Sequence, residues 1–463
     1  MSTVRSAIAS RRRVRARTAT TPAPARPVPG GGQTASLPLE MRFAVKFLGC
    51  KVSQADVMLA RRQLLAAGHE EVPEAEAELH VVNTCCITRE AEAKSRQSVR
   101  RSLQTAGQVF VSGCAVNLRA AEFAAIDPAV RPFSGTADDV AEAMAGALGA
   151  CADVEHDVLP RQPRHAGSNQ WAGARTRGFV KVQDGCDCHC AYCIIPTVRG
   201  GARSRPAASV LEEVQRRVAS GQPEMVITGI SVGDYRDPEQ GLDLGDLLTR
   251  TARVRGVKRV RLSSVEVIHV KDSLVQALRG EEGVCPHLHV PMQSGDDRVL
   301  AAMGRHYTAA EYRHAIDALR AAVPHVSVTT DCIVGFPNED RAAFENTLAM
   351  VEACGISRVH TFSYSPRPGT VAEGLGDRVP PEEKKRRSRE LRGLSEVRSR
   401  HHRTAKLAGP ERVLVDKVAD TQCSGYTADY TRCYLPAGAG APGQLLDVEV
   451  EELYADGLRA APA

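Results

Sequence analysis

Short apolar runs alternate with longer amphipathic stretches in the first third of the chain. Three runs, RFAVKFLGC, ELHVVNTC and QVFVSGC, have the length and composition of buried strands. The stretches between them, SQADVMLARRQLLAAG and REAEAKSRQSVRRSLQ, have the apolar spacing of helices. Strands joined by a helix pair in parallel. The pattern therefore predicts an N-terminal α/β domain with a parallel sheet at residues 41–151.

The same alternation continues through the middle of the chain. Five further strand candidates are separated by helical stretches: EMVITGI, KRVRLSSVE, HLHVPMQSG, VSVTTDCIVGF and SRVHTFSYS. Thr308 and Glu311 have the spacing of a capping box, which predicts the start of one of these helices. We predict a second parallel sheet within residues 172–403, with functional groups at the carboxyl ends of its strands.

The last part of the chain has a different pattern. The basic helical stretch EEKKRRSRELRGLSEVRSRHHR is followed by short strand-like runs that turn residues interrupt. This pattern predicts a small all-β barrel at residues 404–463.

Composition and charge limit the class of protein. The chain has 463 residues and a formal net charge of +5, which a solvated surface explains. No run of about 18 apolar residues is present, so we expect no membrane partner and a cytoplasmic location. The first 38 residues contain no acidic residue and many arginines. We predict a disordered basic tail at residues 1–40, with an organelle transit peptide as the alternative.

Cysteine is unusually frequent, with 14 residues, and four of them lie in VQDGCDCHCAYC. Cys186, Cys190 and Cys193 have the spacing C-x3-C-x2-C. Three thiolates on a four-iron cluster leave one iron open for a ligand that is not protein. The alternative is structural zinc, which needs a fourth ligand, and Cys188 or His189 lies close enough to supply it.

Three more cysteines end the three strand candidates of the first domain. Cys50, Cys85 and Cys114 should meet at the carboxyl edge of the parallel sheet. A lone cysteine is often only a small buried hydrophobic residue, but the placement is repeated three times here. We predict a second iron–sulfur cluster with an open iron. Gly49 and Gly113 precede two of these thiols and fit close approach to a bulky ligand.

Six segments together resemble one family: LGCKVSQAD, NTCCITREAEAKSRQ, SGC, GCDCHCAYCIIPTVRGGARSRP, HLHVPMQSGDDRVLAAMGR and TTDCIVGFPNE. They look like the methylthiotransferases of the radical S-adenosylmethionine (SAM) superfamily, and the resemblance runs from about residue 41 to the end. It implies that the central region is a partial (β/α) radical SAM barrel. It also implies that the last domain is an OB-like, RNA-binding TRAM barrel.

The resemblance further implies the cofactors, two [4Fe-4S] clusters and SAM. One cluster, on Cys186, Cys190 and Cys193, would bind SAM at its open iron. The auxiliary cluster, on Cys50, Cys85 and Cys114, would supply sulfur. Polar residues at consecutive strand ends, and the aromatic residue before the last cluster cysteine, are candidates for holding SAM: Tyr192, Thr228, Gly229, Glu266, Gln293, Ser294 and Asp331. Loop solvation is the alternative for each strand-end residue alone.

Other residues are candidates for binding RNA. Arg199, Arg203 and Arg205 match the family's RGxxRSR and could contact substrate phosphates or a threonyl carboxylate. Tyr426, Tyr430 and Arg432 could stack on or clamp a single-stranded loop. The alternatives are a solvated basic loop and ordinary strand aromatics.

Among the branches of the family, LGCKV-x-Q and G-Y-T-x-x-Y look most like the one that modifies carbon 2 of N6-threonylcarbamoyladenosine in tRNA. The alternatives are N6-isopentenyladenosine in tRNA, where we would expect glutamine instead of Lys51, and a ribosomal protein or peptide side chain. We expect tRNA and an electron donor such as flavodoxin or ferredoxin as partners of a monomer. Ser53 replaces the family's asparagine and is expected to cap the following helix. Cys86 is either inert or an alternative ligand.

Overall fold

The computed structural model describes residues 40–149 and 176–463. Apart from residue 40, the predicted basic tail lies outside these ranges. Five strands of the first domain form a parallel sheet in the order β2-β1-β3-β4-β5. Its elements are β1 (Arg42–Phe47), α1 (Lys51–Ala66), β2 (Glu70–Glu71), β3 (Leu79–Thr84), α2 (Arg89–Ser102), β4 (Gln108–Gly113), α3 (Cys114–Ala124), β5 (Val130–Pro132) and α4 (Ala137–Ala147).

The first sheet forms because its central strands are apolar on both faces. Every residue of β3 is buried, as expected for a parallel strand covered by helices on both sides. Thr88 caps α2, since its hydroxyl accepts a hydrogen bond from the Ala91 amide at 3.1 Å. The predicted parallel α/β sheet is confirmed.

The central domain contains two three-stranded parallel sheets, β6-β9-β10 and β11-β12-β13. A parallel bridge between Ser264 and His289 joins them into an open arc of six strands. The strands are β6 (Arg177–Lys181), β7 (Gln183–Asp184), β8 (Arg203–Ser204), β9 (Glu224–Thr228), β10 (Arg259–Leu262), β11 (His287–His289), β12 (Ser327–Val334) and β13 (Arg358–Ser363). The helices are α5 (Ile195–Arg199), α6 (Ala207–Ala219), α7 (Leu244–Ala252), α8 (Asp272–Gly280), α9 (Asp297–Ala302), α10 (Ala309–Ala322) and α11 (Arg341–Ala353).

This arc confirms the predicted partial (β/α) barrel. Five of its strands coincide with the five strand candidates, whereas β6 was not predicted. Thr308 and Glu311 form the predicted capping box at the start of α10. The barrel core is apolar, and Ile227, Leu288 and Val328 from three strands of the arc are fully buried. Each such side chain stabilises the fold by about 1.5–3 kcal/mol.

The C-terminal domain is a closed five-stranded barrel, as predicted. Its strands are ordered β14-β15-β16-β18-β17 around the barrel, which follows a long helix. The elements are α12 (Pro381–Thr404), β14 (Pro410–Val418), β15 (Gln422–Tyr426), β16 (Arg432–Pro436), β17 (Leu445–Tyr454) and β18 (Gly457–Pro462). Closure leaves no unpaired sheet edge exposed.

A buried arginine attaches this barrel to the amino ends of the central strands. The Arg261 guanidinium binds the Glu224 carboxylate at 2.8 Å and donates to the carbonyls of Thr427 and Ala428 at 2.6 and 2.7 Å. Both charged side chains are 1% exposed. Removing one partner of such a buried pair costs about 3–5 kcal/mol. The C-terminal barrel is therefore held rigidly against the central domain.

Among the described residues, no helix has the length and apolar character needed to cross a bilayer.

Candidate active site

Three thiols meet at the carboxyl edge of the first sheet. Cys85 and Cys114 follow directly after β3 and β4, and Cys50 lies just before α1. The pKa of Cys114 is raised to about 11, chiefly by burial and also by negative charge on Cys50 and Cys85, while Arg199 opposes the shift. Burial also raises the pKa of Cys85, to which Cys50 adds. The three thiols are thus electrostatic neighbours, and their joint binding of a cluster stays a prediction.

One expectation about the surroundings of these thiols is corrected, and another gains a second reason. A Cβ on Gly113 would lie 2.5 Å from the Thr84 carbonyl, so the neighbouring strand by itself requires this glycine. Ser53 does not cap α1, because the helix begins at Lys51 and its N-cap is Cys50. Instead the Ser53 hydroxyl lies 3.6 Å from the Cys50 sulfur.

The second set of thiols lies in the loop between β7 and α5. Burial raises the pKa of Cys193 to about 12, with contributions from Cys190 and Cys186. A hydrogen bond with the Cys188 thiol lowers the pKa of Cys186 to about 7. The Cys188 amide also donates to the Cys186 sulfur at 3.4 Å. Within residues 40–149 and 176–463, no three His, Cys, Asp or Glu side chains are grouped to hold a single metal ion.

Arg199 connects the two sets. It ends α5, six residues after Cys193, and its Nε donates to the Cys114 sulfur at 3.2 Å. The other guanidinium nitrogens bind Asp184 at 3.0 Å and Asp56 at 2.9 Å. Burial alone would raise the pKa of Asp184, but Lys181 and Arg199 hold it below its usual range. One buried guanidinium therefore ties the loop of the second set to the first sheet.

Arg305 contacts a sulfur of the second thiol set, as Arg199 contacts a sulfur of the first. Its Nη1 donates to the Cys190 sulfur at 3.2 Å and to the Glu266 carboxylate at 3.0 Å. The side chain is 3% exposed. We did not predict this residue, although it ends the motif HLHVPMQSGDDRVLAAMGR. Each thiol set is thus accompanied by one cation that favours the thiolate form.

Comparisons with known proteins agree with this arrangement. A model of the radical SAM superfamily matches residues 180–351, and one described as uncharacterized protein family UPF0004 matches residues 42–135. A relative from Thermotoga maritima, the threonylcarbamoyladenosine tRNA methylthiotransferase MtaB, is 34% identical over 84% of this chain and 90% of its own. A tRNA-2-methylthio-N6-dimethylallyladenosine synthase from Solibacter usitatus is 35% identical over 74% of this chain and 79% of its own.

The chain belongs to the radical SAM methylthiotransferases.

A solved structure supports the fold of this methylthiotransferase. The radical SAM methyltransferase TsrM from Kitasatospora setae has a TM-score of 0.55 at 14% identity, covering 74% of this chain and 80% of that one. The family uses SAM and [4Fe-4S] clusters. The donor sets fit such clusters, because each consists of three soft thiols with an arginine on one sulfur.

Only some of the predicted SAM-binding residues lie near the Cys190 loop. Glu266 is held there by Arg305. Tyr192 packs edge-on against Phe336, with ring centroids 6.5 Å apart. Ser294 is buried and bonded to Thr347 and Asp296, so its hydroxyl faces α11 and the start of α9. The buried Thr228 ends β9, and Gly229 approaches Gln183 so closely that a Cβ would lie 3.0 Å from it.

Asp331 was expected at a strand end. It lies instead within β12, which continues to Val334. Its carboxylate pairs with His289 at 3.0 Å and its backbone is in register with His360. The error arose because three consecutive polar residues, Thr329 to Asp331, interrupt the apolar pattern of this strand. Gln293, which follows β11, forms a parallel bridge with Cys332 of β12, and its backbone has a positive φ of 65°.

The arginines predicted to bind substrate have different surroundings. Arg199 is committed to Asp56, Asp184 and Cys114, and Arg205 binds Glu213 at 2.7 Å. Arg203 is exposed and donates only to main-chain carbonyls of its own loop. Of the three, Arg203 is the one whose placement favours the predicted contact.

The three C-terminal candidates are half-buried, and the two tyrosines face the central domain. Tyr430 packs on Arg261, with 4.0 Å between the guanidinium carbon and the ring centroid, and Tyr426 packs on Arg177 at 5.0 Å. Arg432 packs on Tyr434 at 4.6 Å. Stacking on RNA by these side chains stays a prediction.

A cavity of about 330 Å³ lies beside Cys114. Its walls include Asn83, Asn117, Asp139 and Arg199. The buried Asn83 Oδ1 has no hydrogen-bond partner among the described residues. The cavity thus opens next to one thiol of the first set.

Proposed function

We propose that this enzyme transfers a methylthio group to carbon 2 of N6-threonylcarbamoyladenosine in tRNA. The observation that carries the proposal is the similarity to the Thermotoga maritima enzyme, which extends over 90% of that protein. The similarity spans both domains that carry the thiol sets. A closed C-terminal barrel of the kind that binds oligonucleotides supports a tRNA substrate.

The proposed ligands follow from the two thiol sets. The cluster that binds SAM would be held by Cys186, Cys190 and Cys193. The auxiliary cluster would be held by the thiols at the strand ends, Cys50, Cys85 and Cys114. When bound, these groups supply the radical chemistry at carbon 2 and the sulfur that is transferred. The thiols must lose protons to bind iron, and burial opposes that loss.

The protein's own contribution is placement. Arg305 orients Glu266 beside Cys190, and Arg199 orients Cys114 beside the loop that carries Cys193. Such hydrogen bonds to ligand atoms fix ligand orientation. Because the Arg199 side chain joins the loop of the second thiol set to Cys114 of the first set, the two sites keep a fixed separation. This rigidity suits a reaction whose reactive species must be confined close to its target.

A second candidate is methylthiolation of N6-isopentenyladenosine in tRNA. The Solibacter usitatus relative, named for a dimethylallyladenosine product, is 35% identical over 79% of its length. The two substrates share the adenine ring and differ in the group on N6. The choice between them therefore depends on what the site offers to that group.

Nucleoside mass spectrometry of bulk tRNA, with and without the gene, tests the proposal. We expect deletion to remove 2-methylthio-N6-threonylcarbamoyladenosine and to accumulate its unmethylthiolated precursor. Loss of the isopentenyl derivative instead would establish the second candidate. An unchanged set of tRNA nucleosides would contradict both and direct attention to a ribosomal protein or peptide substrate.

A further inference from the structure

Lys51 lies where the three domains meet. It follows Cys50 and begins α1, and both residues are exposed. The Lys51 ammonium is 5.7 Å from the centroid of the Tyr430 ring, which belongs to the C-terminal barrel. A residue of the first domain thus carries a positive charge into the space next to the auxiliary thiols.

Histidines of the central domain lie beside this space. The His289 and His360 rings are 5.4 Å apart, and His360 is exposed. Partial desolvation of the ring lowers the pKa of His360, and His289, Arg358 and Lys51 lower it further, whereas Asp331 opposes the shift. Lys51 also contributes to the lowered pKa of the buried His287, whose ring meets Tyr430 at a centroid distance of 5.0 Å. Lys51 and His287 therefore both approach the same Tyr430 ring.

The charge balance of the space is incomplete. The nearby Arg261 is neutralised by Glu224, and the carboxylate facing the space, Asp331, is engaged by His289 at 3.0 Å. Among the described residues, Lys51 takes part in no ion pair. An exposed ammonium without an ion-pair partner, near a carboxylate that is already paired, is suited to an anionic ligand.

We propose that Lys51, assisted by His360, binds the carboxylate of the threonyl group on N6 of the substrate adenosine. The inference rests on the proposed function, because it assumes a substrate that carries this carboxylate. Carbon 2 and carbon 6 of adenine flank the same ring nitrogen, so the N6 substituent extends from the edge that contains carbon 2. A base whose carbon 2 faces Cys50 places its N6 substituent near the residue that follows Cys50.

This assignment differs from the sequence-based expectation that Arg199, Arg203 or Arg205 meets the carboxylate. The guanidiniums of Arg199 and Arg205 are committed to Asp56, Asp184 and Glu213, and Arg203 stays the candidate for a substrate phosphate. Lys51 offers three rotatable donors on a flexible stem. The neutral isopentenyl group would gain nothing from them, so Lys51 would also determine specificity between the two candidate substrates.

The test compares two anticodon stem-loop RNAs with the cluster-loaded full-length enzyme. One carries N6-threonylcarbamoyladenosine, and the other carries the methyl ester of its threonyl carboxylate. We expect wild-type enzyme to prefer the acid by roughly 10- to 100-fold in kcat/KM, the size of one hydrogen bond to a charged group. Lys51→Gln should remove this preference and leave kcat/KM for the ester nearly unchanged, whereas Lys51→Arg should keep most of it.

Lys94→Gln is the matched control, since Lys94 is an exposed lysine of the same domain that pairs only with Glu90. Fluorescence anisotropy of the two RNAs gives a readout independent of turnover, and the same preference is expected in Kd. Iron and sulfide content must be equal in all variants, because Lys51 adjoins a proposed cluster ligand.

Two results would overturn the inference while leaving the proposed function intact. One is a wild-type enzyme that methylthiolates acid and ester equally well, a comparison that needs no variant. The other is a Lys51→Gln enzyme, normally loaded, that loses activity on both RNAs to the same extent. A wild-type enzyme that modifies only an isopentenyladenosine stem-loop would contradict the proposed function itself.

Discussion

The two thiol sets differ in how they are assembled. Cys186, Cys190 and Cys193 lie in one short loop, whereas Cys50, Cys85 and Cys114 come from the ends of three strands. Chain connectivity alone keeps the first three together. The other three depend on the parallel sheet, because only its register brings the strand ends to one edge. The loop set is therefore a local feature of the chain, and the strand-end set is a property of the fold.

The accompanying arginines differ in the same sense. Arg305 and Cys190 belong to the same domain, although 115 residues separate them. Arg199 and Cys114 belong to different domains and are 85 residues apart. The strand-end set thus receives its cation from the domain that carries the loop set. We infer that a substitution in the domain of the loop set affects both thiol sets. A substitution in the first domain should affect only the strand-end set.

The largest expected effect separates the functions of the two sets. Cys190→Ala should reduce SAM cleavage to background, because it removes a proposed ligand of the SAM-binding cluster. Cys85→Ala should leave SAM cleavage and abolish methylthiolation, because sulfur is proposed to come from the other cluster. Chromatography of cleaved SAM, together with mass spectrometry of the product nucleoside, measures both. Methylthiolation that survived in Cys85→Ala would refute the auxiliary assignment.

The next effect concerns the cation beside the loop set. Arg305→Gln removes the donor to the Cys190 sulfur and leaves Glu266 without its ion-pair partner. We expect the rate of SAM cleavage to fall about 10- to 100-fold, the usual range for groups that orient metal ligands. Arg298→Gln is the control, because this arginine is exposed and pairs with Asp340 at the surface. Equal activity of the two variants would show that Arg305 does not act on the cluster.

A further variant sharpens the comparison at the connection between the domains. Arg199→Gln removes the donor to Cys114 and leaves Lys181 as the cation beside Asp56 and Asp184. Methylthiolation should fall by about 10- to 100-fold, whereas SAM cleavage should fall less. The ratio of modified nucleoside to cleaved SAM is the measurement, and the exposed Arg100→Gln is the control. An unchanged ratio would mean that Arg199 serves only to hold the domains together.

The smallest expected effect is at Cys188. Its amide, not only its thiol, donates to the Cys186 sulfur, and Cys188→Ala keeps that amide. We expect SAM cleavage within about fivefold of wild type, since one neutral hydrogen bond contributes roughly 1 kcal/mol. Iron content and SAM cleavage of Cys188→Ala beside Cys186→Ala give the answer. If both variants lost the cluster, Cys188 would have to be counted among the ligands.

Much of the fold could be predicted from the sequence because its signals are local. Apolar runs alternating with amphipathic stretches specify parallel strands and covering helices, and the Thr308–Glu311 spacing marks where α10 begins. The loop set was equally accessible, since the distances between its thiols are limited by the few residues that join them. Even the strand-end set could be inferred, because parallel topology fixes which strand ends meet.

Only the tertiary structure decided which charges serve these thiols. Arg199, Arg305 and Lys51 each act across a long separation in sequence or across a domain boundary, and an arginine in a motif looks the same whether it is free or neutralised. The sequence determined the order of the elements and the six candidate thiols. Packing determined that Arg199 is committed to Asp56, Asp184 and Cys114, and that Lys51 has no ion-pair partner among the described residues, because ion pairing depends on distances that no local pattern encodes.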